Sequence, residues 1–325
     1  MADEGPIVVT GAAGFIGRAV AERLLDRGET VIGVDNFVPY YEPALKEARA
    51  ATLTSRNGFG LERMDVADAS AFAGLILENK VRRVVHLAAQ AGVRYSIDNP
   101  FAYAHANLTG HLSVLEACRA APGFLHLVYA SSSSVYGDRG LAGAFSEDDA
   151  VDAPKSLYAA TKRADELMSA TYADLYGIPQ SGLRFFTVYG PWGRPDMAYF
   201  SFTQKILAGE PIEVFGEGAM ARDFTYVDDI VDGVVGVLDR PAEPQIQRIL
   251  NIGDSRPVGL MDMISTLEKA LGKEANKIMR PMQPGDVTAT YADVSKLKAL
   301  TGYAPKVSLE EGLPRFVEWY RGHYG

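Results

Sequence analysis

Cysteine is almost missing: the 325 residues contain one, Cys118. A single thiol makes no internal disulfide, and the acidic opening Met1-Ala2-Asp3-Glu4-Gly5-Pro6 carries no recognisable signal, so a reducing, cytoplasmic setting is expected. Long apolar runs are missing too. None approaches the ~18–20 residues that span a bilayer, and no membrane anchor is expected. Histidine is sparse, with 5 in the chain. His105 and His111 fall on different faces of a helix and His126 sits in an apolar strand, so no metal site is read. Basic charge is outnumbered, with 32 Lys and Arg against 41 Asp and Glu, a net charge of −9. A binder of phosphate backbones needs a basic face, so nucleic acid is not an expected partner. A few local Arg residues can still hold a small anion.

What is present is an alternation of short apolar strands and helical patterns, in a chain that is 47% hydrophobic. Strands are read at 6–10, 30–35, 81–89, 124–130 and 180–186. Helices are read at 18–25, 68–77, 101–121 and 156–176. Continuous apolar strands separated by helices are strands buried on both faces. The fold class is therefore α/β, a Rossmann-like doubly wound parallel sheet. After about 187 Pro and Gly become frequent and strands shorten, with helices expected near 259–271, 293–300 and 308–322. A second, smaller α/β domain is expected there to bind substrate. The division reads as 1–187, with 227–256 returning to it, against 188–226 and 257–325.

The first strand runs directly into Gly11-Ala12-Ala13-Gly14-Phe15-Ile16-Gly17, which opens a helix. Glycine at these spacings permits a tight turn, close approach of backbone to a pyrophosphate, and close packing of helix on strand. The helix N-terminus then offers free N–H groups and partial positive charge. Strand, turn and helix in that order make the motif informative. Asp35 ends the next strand, 18 residues after Gly17, where a carboxylate accepts both ribose hydroxyls and repels a 2′-phosphate. No basic residue lies in Asn36-Phe37-Val38, which favours NAD over NADP; Arg18 is the one residue arguing otherwise. Asp65 and Val66 are expected beside the adenine, and Leu87-Ala88-Ala89-Gln90 beside the cofactor's middle.

Tyr158 and Lys162 are four apart on a helix and share one face. Such a pair arises easily by chance, so its context carries the weight. Ser131-Ser132-Ser133-Ser134 ends a parallel strand, where ligands meet such a sheet. An ordinary Tyr holds its proton to pH ~10, and a neighbouring ammonium and a cationic nicotinamide both favour the phenolate, which makes a usable base. A Ser hydroxyl there can bond the substrate oxygen and relay the proton.

Together these residues resemble the extended short-chain dehydrogenase/reductase superfamily. More narrowly, the chain resembles the UDP-glucuronate 4-epimerases, in Ala88-Ala89-Gln90-Ala91-Gly92-Val93-Arg94-Tyr95-Ser96, in the stretches 35–46, 130–137, 157–162 and 222–230, and above all in Thr187-Val188-Tyr189-Gly190-Pro191-Trp192-Gly193-Arg194-Pro195-Asp196-Met197. The resemblance implies Tyr158 as base, Lys162 as its partner and ribose ligand, and Ser132 as the hydroxyl of the triad. It implies Asn107 as support for Lys162 on the cofactor side, and Arg222 and Asp286 as ligands of a UDP-sugar. Gln283 stands where related sugar epimerases often carry Arg. The reaction implied is oxidation at C4, rotation of the 4-keto sugar and reduction on its other face.

A 4-keto uronate is a β-keto acid and loses CO2 when the bond to its carboxylate aligns with the carbonyl π system. An epimerase must fix that carboxylate elsewhere with several donors. Arg194, Thr187, Ser133 and Ser134 are the available set, with Arg94 a fainter candidate. The rival readings share the first domain: a UDP-glucose 4-epimerase, a UDP-glucuronate decarboxylase (which usually carries an acid where Ser134 stands), a dehydratase, or a non-catalytic NAD-binding sensor. A serine hydrolase is disfavoured by the lack of a Gly-x-Ser-x-Gly elbow. By analogy with the superfamily, the helices at 101–121 and 156–176 are expected to pair across a two-fold axis into a homodimer.

Overall fold

The computed structural model describes residues 5–138, 143–282 and 289–325. Its strands in chain order are β1 (Ile7–Thr10), β2 (Val31–Val34), β3 (Phe59–Glu62), β4 (Arg83–His86), β5 (His126–Ser132), β6 (Gln180–Phe185), β7 (Thr187–Tyr189), β8 (Ile212–Phe215), β9 (Ala221–Tyr226), β10 (Gln247–Ile252), β11 (Pro257–Gly259), β12 (Lys277–Arg280) and β13 (Ala289–Thr290).

Seven of them form one sheet in the order β10-β6-β5-β4-β1-β2-β3, every pair parallel. The period of two in a strand sends alternate side chains to opposite faces. Ile7 and Val9 pack with Val20 and Leu24 of the Phe15–Asp26 helix and with Ile230 and Val234 of the Val227–Leu238 helix. Val8 faces the other way, with Phe72 and Ile76 of the Ala69–Glu78 helix and Val114 of the Gly110–Ala120 helix. Both faces are covered, as a parallel sheet requires. The chain steps one way from β1 to β2 and the other way from β1 to β4, so a crevice opens at the carboxyl ends of these strands. That crevice holds the site.

The chain after β6 builds a second set of strands, β11-β9-β13 with β7 also on β9, and a separate β8–β12 pair. The Leu260–Leu271 and Leu309–Tyr324 helices pack on each other beside them. The Val227–Leu238 helix and β10 return to the large sheet, where β10 pairs with β6. The Ser295–Thr301 helix, read from sequence with the smaller unit, packs against that returning helix and β10.

Two differences from the sequence reading matter for function. The expected helix at 101–121 is three pieces: Pro100–Tyr103, a π-helical turn at Ala104–Thr109, and Gly110–Ala120. A single wide turn shifts the apolar face by about one residue, and the pattern on either side of it still reads as helix. The Pro43–Thr54 helix, with Pro at its first turn, is absent from the sequence reading, although it brings Lys46 to the crevice and buries Arg49 behind it. The helix carrying Tyr158 and Lys162 runs Leu157–Tyr176. Its N-terminus is capped by Ser156, whose hydroxyl accepts from the Ala159 N–H at 3.1 Å, and it ends on Gly177 in the left-handed region.

Candidate active site

The cofactor end is built mainly from backbone. Gly11 has φ 71°, a left-handed conformation that side chains disfavour, and a Cβ on Gly17 would collide with the Gly11 carbonyl oxygen. No side chain caps the helix at Gly14, so its first N–H groups face the crevice. Asp35 accepts from the Ala13 N–H at 3.0 Å and the Phe37 N–H at 2.8 Å. Lys46, from the unanticipated helix, lies 3.6 Å from the same carboxylate, and both side chains are buried. Arg18 is turned away, onto Glu22 at 2.7 Å and Thr52 at 3.2 Å. Asn36 donates to Asp65 at 3.2 Å, and His105 meets the same oxygen at 3.0 Å. Burial works against the Asp65 charge, but these bonds and the Ala67 N–H outweigh it and hold the carboxyl below its ordinary range.

The catalytic helix faces the end of β5. Ser132 Oγ accepts from the Ser134 N–H at 3.2 Å and from the Ser134 hydroxyl at 2.9 Å. Tyr158 is half-buried. Lys162 is buried and donates to Asp165 at 3.1 Å. Asn107, which the resemblance gives as support for Lys162, is buried and bonds Thr161, the neighbour of Lys162. It does not line the cavity: its amide donates to Thr161 Oγ1 at 2.9 Å and the Gln90 carbonyl at 3.2 Å, and its oxygen accepts from the Gln90 N–H at 2.8 Å. The π turn carries Asn107 at its centre, and these bonds tie the cofactor-side loop to the catalytic helix.

The opposite wall is built from charge. Arg194 makes two bonds to Asp196, at 3.0 and 2.7 Å, and Tyr40 donates to the same carboxylate at 3.1 Å. Burial opposes the guanidinium charge, but Asp196 outweighs it, so Arg194 is held firmly cationic. The loop below is fixed from the far side. Arg49, fully buried, donates to the Trp192 carbonyl at 3.0 and 2.6 Å and the Gly193 carbonyl at 2.8 Å. Trp192 sits at φ 64°, a strained conformation that persists because its surroundings hold it. The Arg94 guanidinium lies 5.0 Å from the centre of the Phe215 ring, and Arg222 donates to the Ala221 carbonyl at 2.9 Å.

One cavity of about 860 Å³ joins these parts. Its lining takes in every anticipated site residue except Asn107 and Asp286. Asp286, with Gln283, lies outside the described residues. Sequence reasoning missed Lys46, Arg49, Tyr40, Asp165 and Asp196. Tyr40, Lys46 and Asp196 stand inside quoted motifs, but their partners are set only by folding. The signal for Lys46 and Arg49 is two basic residues three apart, on one face of a short helix with Leu45 and Leu53.

A doubly wound sheet with a glycine cradle, a strand-end acid and a Tyr-x-x-x-Lys helix across one crevice defines a dinucleotide-dependent enzyme acting on a secondary alcohol. The cradle fits NAD, because a side chain at Gly17 would fill it and the second strand ends in an acid. Residues 7–253 match the model of the NAD dependent epimerase/dehydratase family, and the chain belongs to that family. It is 47% identical to a probable UDP-glucuronate 4-epimerase of Rhizobium meliloti, over 98% of this chain and 97% of that one. It is 46% identical to UDP-glucuronate 4-epimerase 3 of Arabidopsis thaliana, over 98% of this chain and 77% of that one. Its fold superposes with TM-score 0.92 on the Bacillus cereus UDP-glucuronic acid 4-epimerase, crystallised with UDP-glucuronic acid and NAD. That protein is 36% identical, with 98% of this chain and 100% of that one covered.

Proposed function

We propose that this protein is an NAD-dependent UDP-glucuronate 4-epimerase, inverting C4 of UDP-glucuronate to give UDP-galacturonate through a transient 4-keto sugar. The observation that carries the reading is one cavity lined by both halves of the chemistry: Tyr158 and Lys162 beside the glycine cradle, and Ser132, Ser133, Ser134, Thr187 and Arg194 on the sugar side. The similarity to enzymes named for this reaction supports it.

Gly11, Gly14, Phe15, Ile16 and Gly17 would hold the NAD pyrophosphate. Asp35 and Asn36 would take the adenosine ribose, Asp65 and Val66 the adenine, and the 87–90 segment the middle. Bound NAD supplies a site that accepts the C4 hydrogen with its electron pair and returns it. Tyr158 takes the proton of the 4-hydroxyl, and Ser132 bonds the same oxygen and steadies it as it becomes a carbonyl. Lys162 holds the nicotinamide ribose and keeps positive charge near the phenol. Ser133, Ser134, Thr187 and Arg194 grip the uronate carboxylate away from the alignment that releases CO2. Arg94 and Arg222 serve the UDP-sugar, together with Asp286.

On this reading 1–187 with 227–256 serve the cofactor and 188–226 with 257–325 the nucleotide sugar, although the Ser295–Thr301 helix packs on the cofactor side. Phe101, Leu112, Leu157, Leu167 and Leu175 are exposed on the helices flanking the catalytic tyrosine. That apolar surface fits a homodimer formed through these helices. Sedimentation as a monomer at micromolar concentration would remove that part. The acidic net charge and the single buried Cys118 favour a cytoplasmic enzyme with no nucleic-acid partner.

The test is incubation with UDP-glucuronate and no added nicotinamide. UDP-galacturonate is the expected product. A UDP-pentose would make the protein a decarboxylase, and conversion of UDP-glucose alone would make it a different epimerase.

A further inference from the structure

The Tyr158 helix carries a third ionisable group on the same face. Tyr158, Lys162 and Asp165 stand at i, i+4 and i+7, which align on one side of an α-helix. Lys162 and Asp165 form an ion pair at 3.1 Å with side chains only 3% and 0% exposed. Asp165 Oδ1 is buried and has no hydrogen-bond partner. A buried carboxylate with one oxygen unsatisfied is expensive, and the reaction itself assigns it no role. We infer that Asp165 is a positioning residue for Tyr158: by pairing with Lys162 it cancels part of the ammonium's field and sets the pH at which the phenol becomes a base. The inference rests on the reading of Tyr158 as the base.

Beside Tyr158 itself stand Tyr103, with ring centroids 6.0 Å apart and its own phenol pushed up by burial, and Arg194, whose charge is matched by Asp196; the Lys162–Asp165 pair lies behind them. Facing it from β4 is His86, which burial drives down to about 3. From the Gly110–Ala120 helix comes His111, which burial lowers well below its ordinary value, and from β5 comes Tyr129, whose phenol burial pushes up. All three are uncharged near neutrality. On the same helix Glu166 is spent on Arg184, at 2.8 and 2.9 Å, and on Arg163 at 3.1 Å. Burial raises Asp165 to about 6, against the opposing pull of Lys162. Above that pH the pair is close to neutral. Below it Asp165 takes a proton and the bare ammonium acts on Tyr158. The phenol therefore faces a stronger positive field once Asp165 is protonated than while the pair is intact.

Seven helical residues put Asp165 roughly 10 Å along the axis from Tyr158. At an effective dielectric of about 20, a unit charge at that distance moves an ionisation by on the order of one pH unit. The test compares wild type with Asp165→Asn, which keeps shape and removes charge. Tyr158 ionisation is read by phenolate absorbance of the NAD-loaded protein without substrate, subtracting Tyr158→Phe. Epimerisation is read as kcat against pH. The expected result is a phenolate midpoint and an acid limb of kcat both lower in Asp165→Asn, by up to about one pH unit where Asp165 is charged, with the two proteins converging below about pH 6. Unmoved curves would overturn the inference. A second measurement does not need that variant to fold: the carboxyl 13C signal of Asp165 is titrated in wild type and in Lys162→Met. Its midpoint is expected to rise on loss of the ammonium, and an unchanged midpoint overturns the inference equally. If Tyr158→Phe stayed fully active, the reading of the base would fall instead; an active wild type with unmoved curves removes only the role of Asp165.

Discussion

The two walls of the cavity are made of different material. The cofactor wall is backbone: a glycine turn, an uncapped helix N-terminus and one carboxylate that accepts two main-chain N–H groups. The sugar wall is side-chain charge, with Arg194 locked to Asp196 and Tyr40 closing on the same carboxylate. Backbone donors stay in place when side chains change, so the first wall suits a cofactor kept through every turnover. Charged side chains can be re-aimed by substitution, so the second wall suits the choice of sugar. Related enzymes that share the first wall are thus expected to differ at the second.

The comparison can be broken at its boundary first. Tyr158 stands between the walls, and Tyr158→Phe removes only the acid–base oxygen. Turnover is expected to fall by ~10²–10⁴-fold, while NAD stays bound and retained through gel filtration. Loss of NAD would mean the tyrosine belongs to the cofactor wall.

Acid tests the packing behind that boundary. His86 and His126 are held uncharged by burial, at about 3 and about 4, with His111 also far below its ordinary value. Their unfolded counterparts take up protons once pH falls below ~6.5. Folding stability should therefore drop as pH is lowered from about 6.5 towards 4, by roughly 1.4 kcal/mol per pH unit for each histidine. Asp165 works the other way, because its raised ionisation recovers stability between about 6 and its ordinary 3.8. The net expectation is a falling Tm across that window, read by calorimetry, and a flat Tm would contradict it.

Arg49 joins the walls from behind. Arg49→Ala leaves the Trp192 and Gly193 carbonyls without their donor and should cost about 2–3 kcal/mol in denaturant unfolding. It should also raise the KM for UDP-glucuronate, since the freed loop carries Arg194. A stability loss with unchanged KM would separate the loop from the sugar wall. The smallest effect is expected at Arg194 itself. Removing one charge-assisted anchor is worth ~10–100-fold in kcat/KM, and Arg194→Ala should let a UDP-pentose appear beside the epimer. Unchanged turnover and product would take the carboxylate away from this residue.

Much of this was readable before folding, and the reason is locality. The glycine turn, Asp35, the serine run and the Tyr158–Lys162 pair are each short-range patterns, and the sheet follows from strands buried on both faces. Each stands in the structure at the end of its strand or the start of its helix. What sequence could not give depends on distant chain segments meeting. Arg49 finds carbonyls more than 140 residues away, and Tyr40 finds Asp196 at similar separation. Asn107 bonds Gln90 and Thr161, 17 and 54 residues away in sequence, partners that its place in a helical stretch does not announce.

In the proposed reaction one sugar carbon gives up and regains its own hydrogen without exchange with solvent. UDP-glucuronate deuterated at C4, incubated with the protein and no added nicotinamide, should yield UDP-galacturonate with the deuterium still at C4. Inversion with the label lost to solvent, or a label and configuration both unchanged after long incubation, would contradict it.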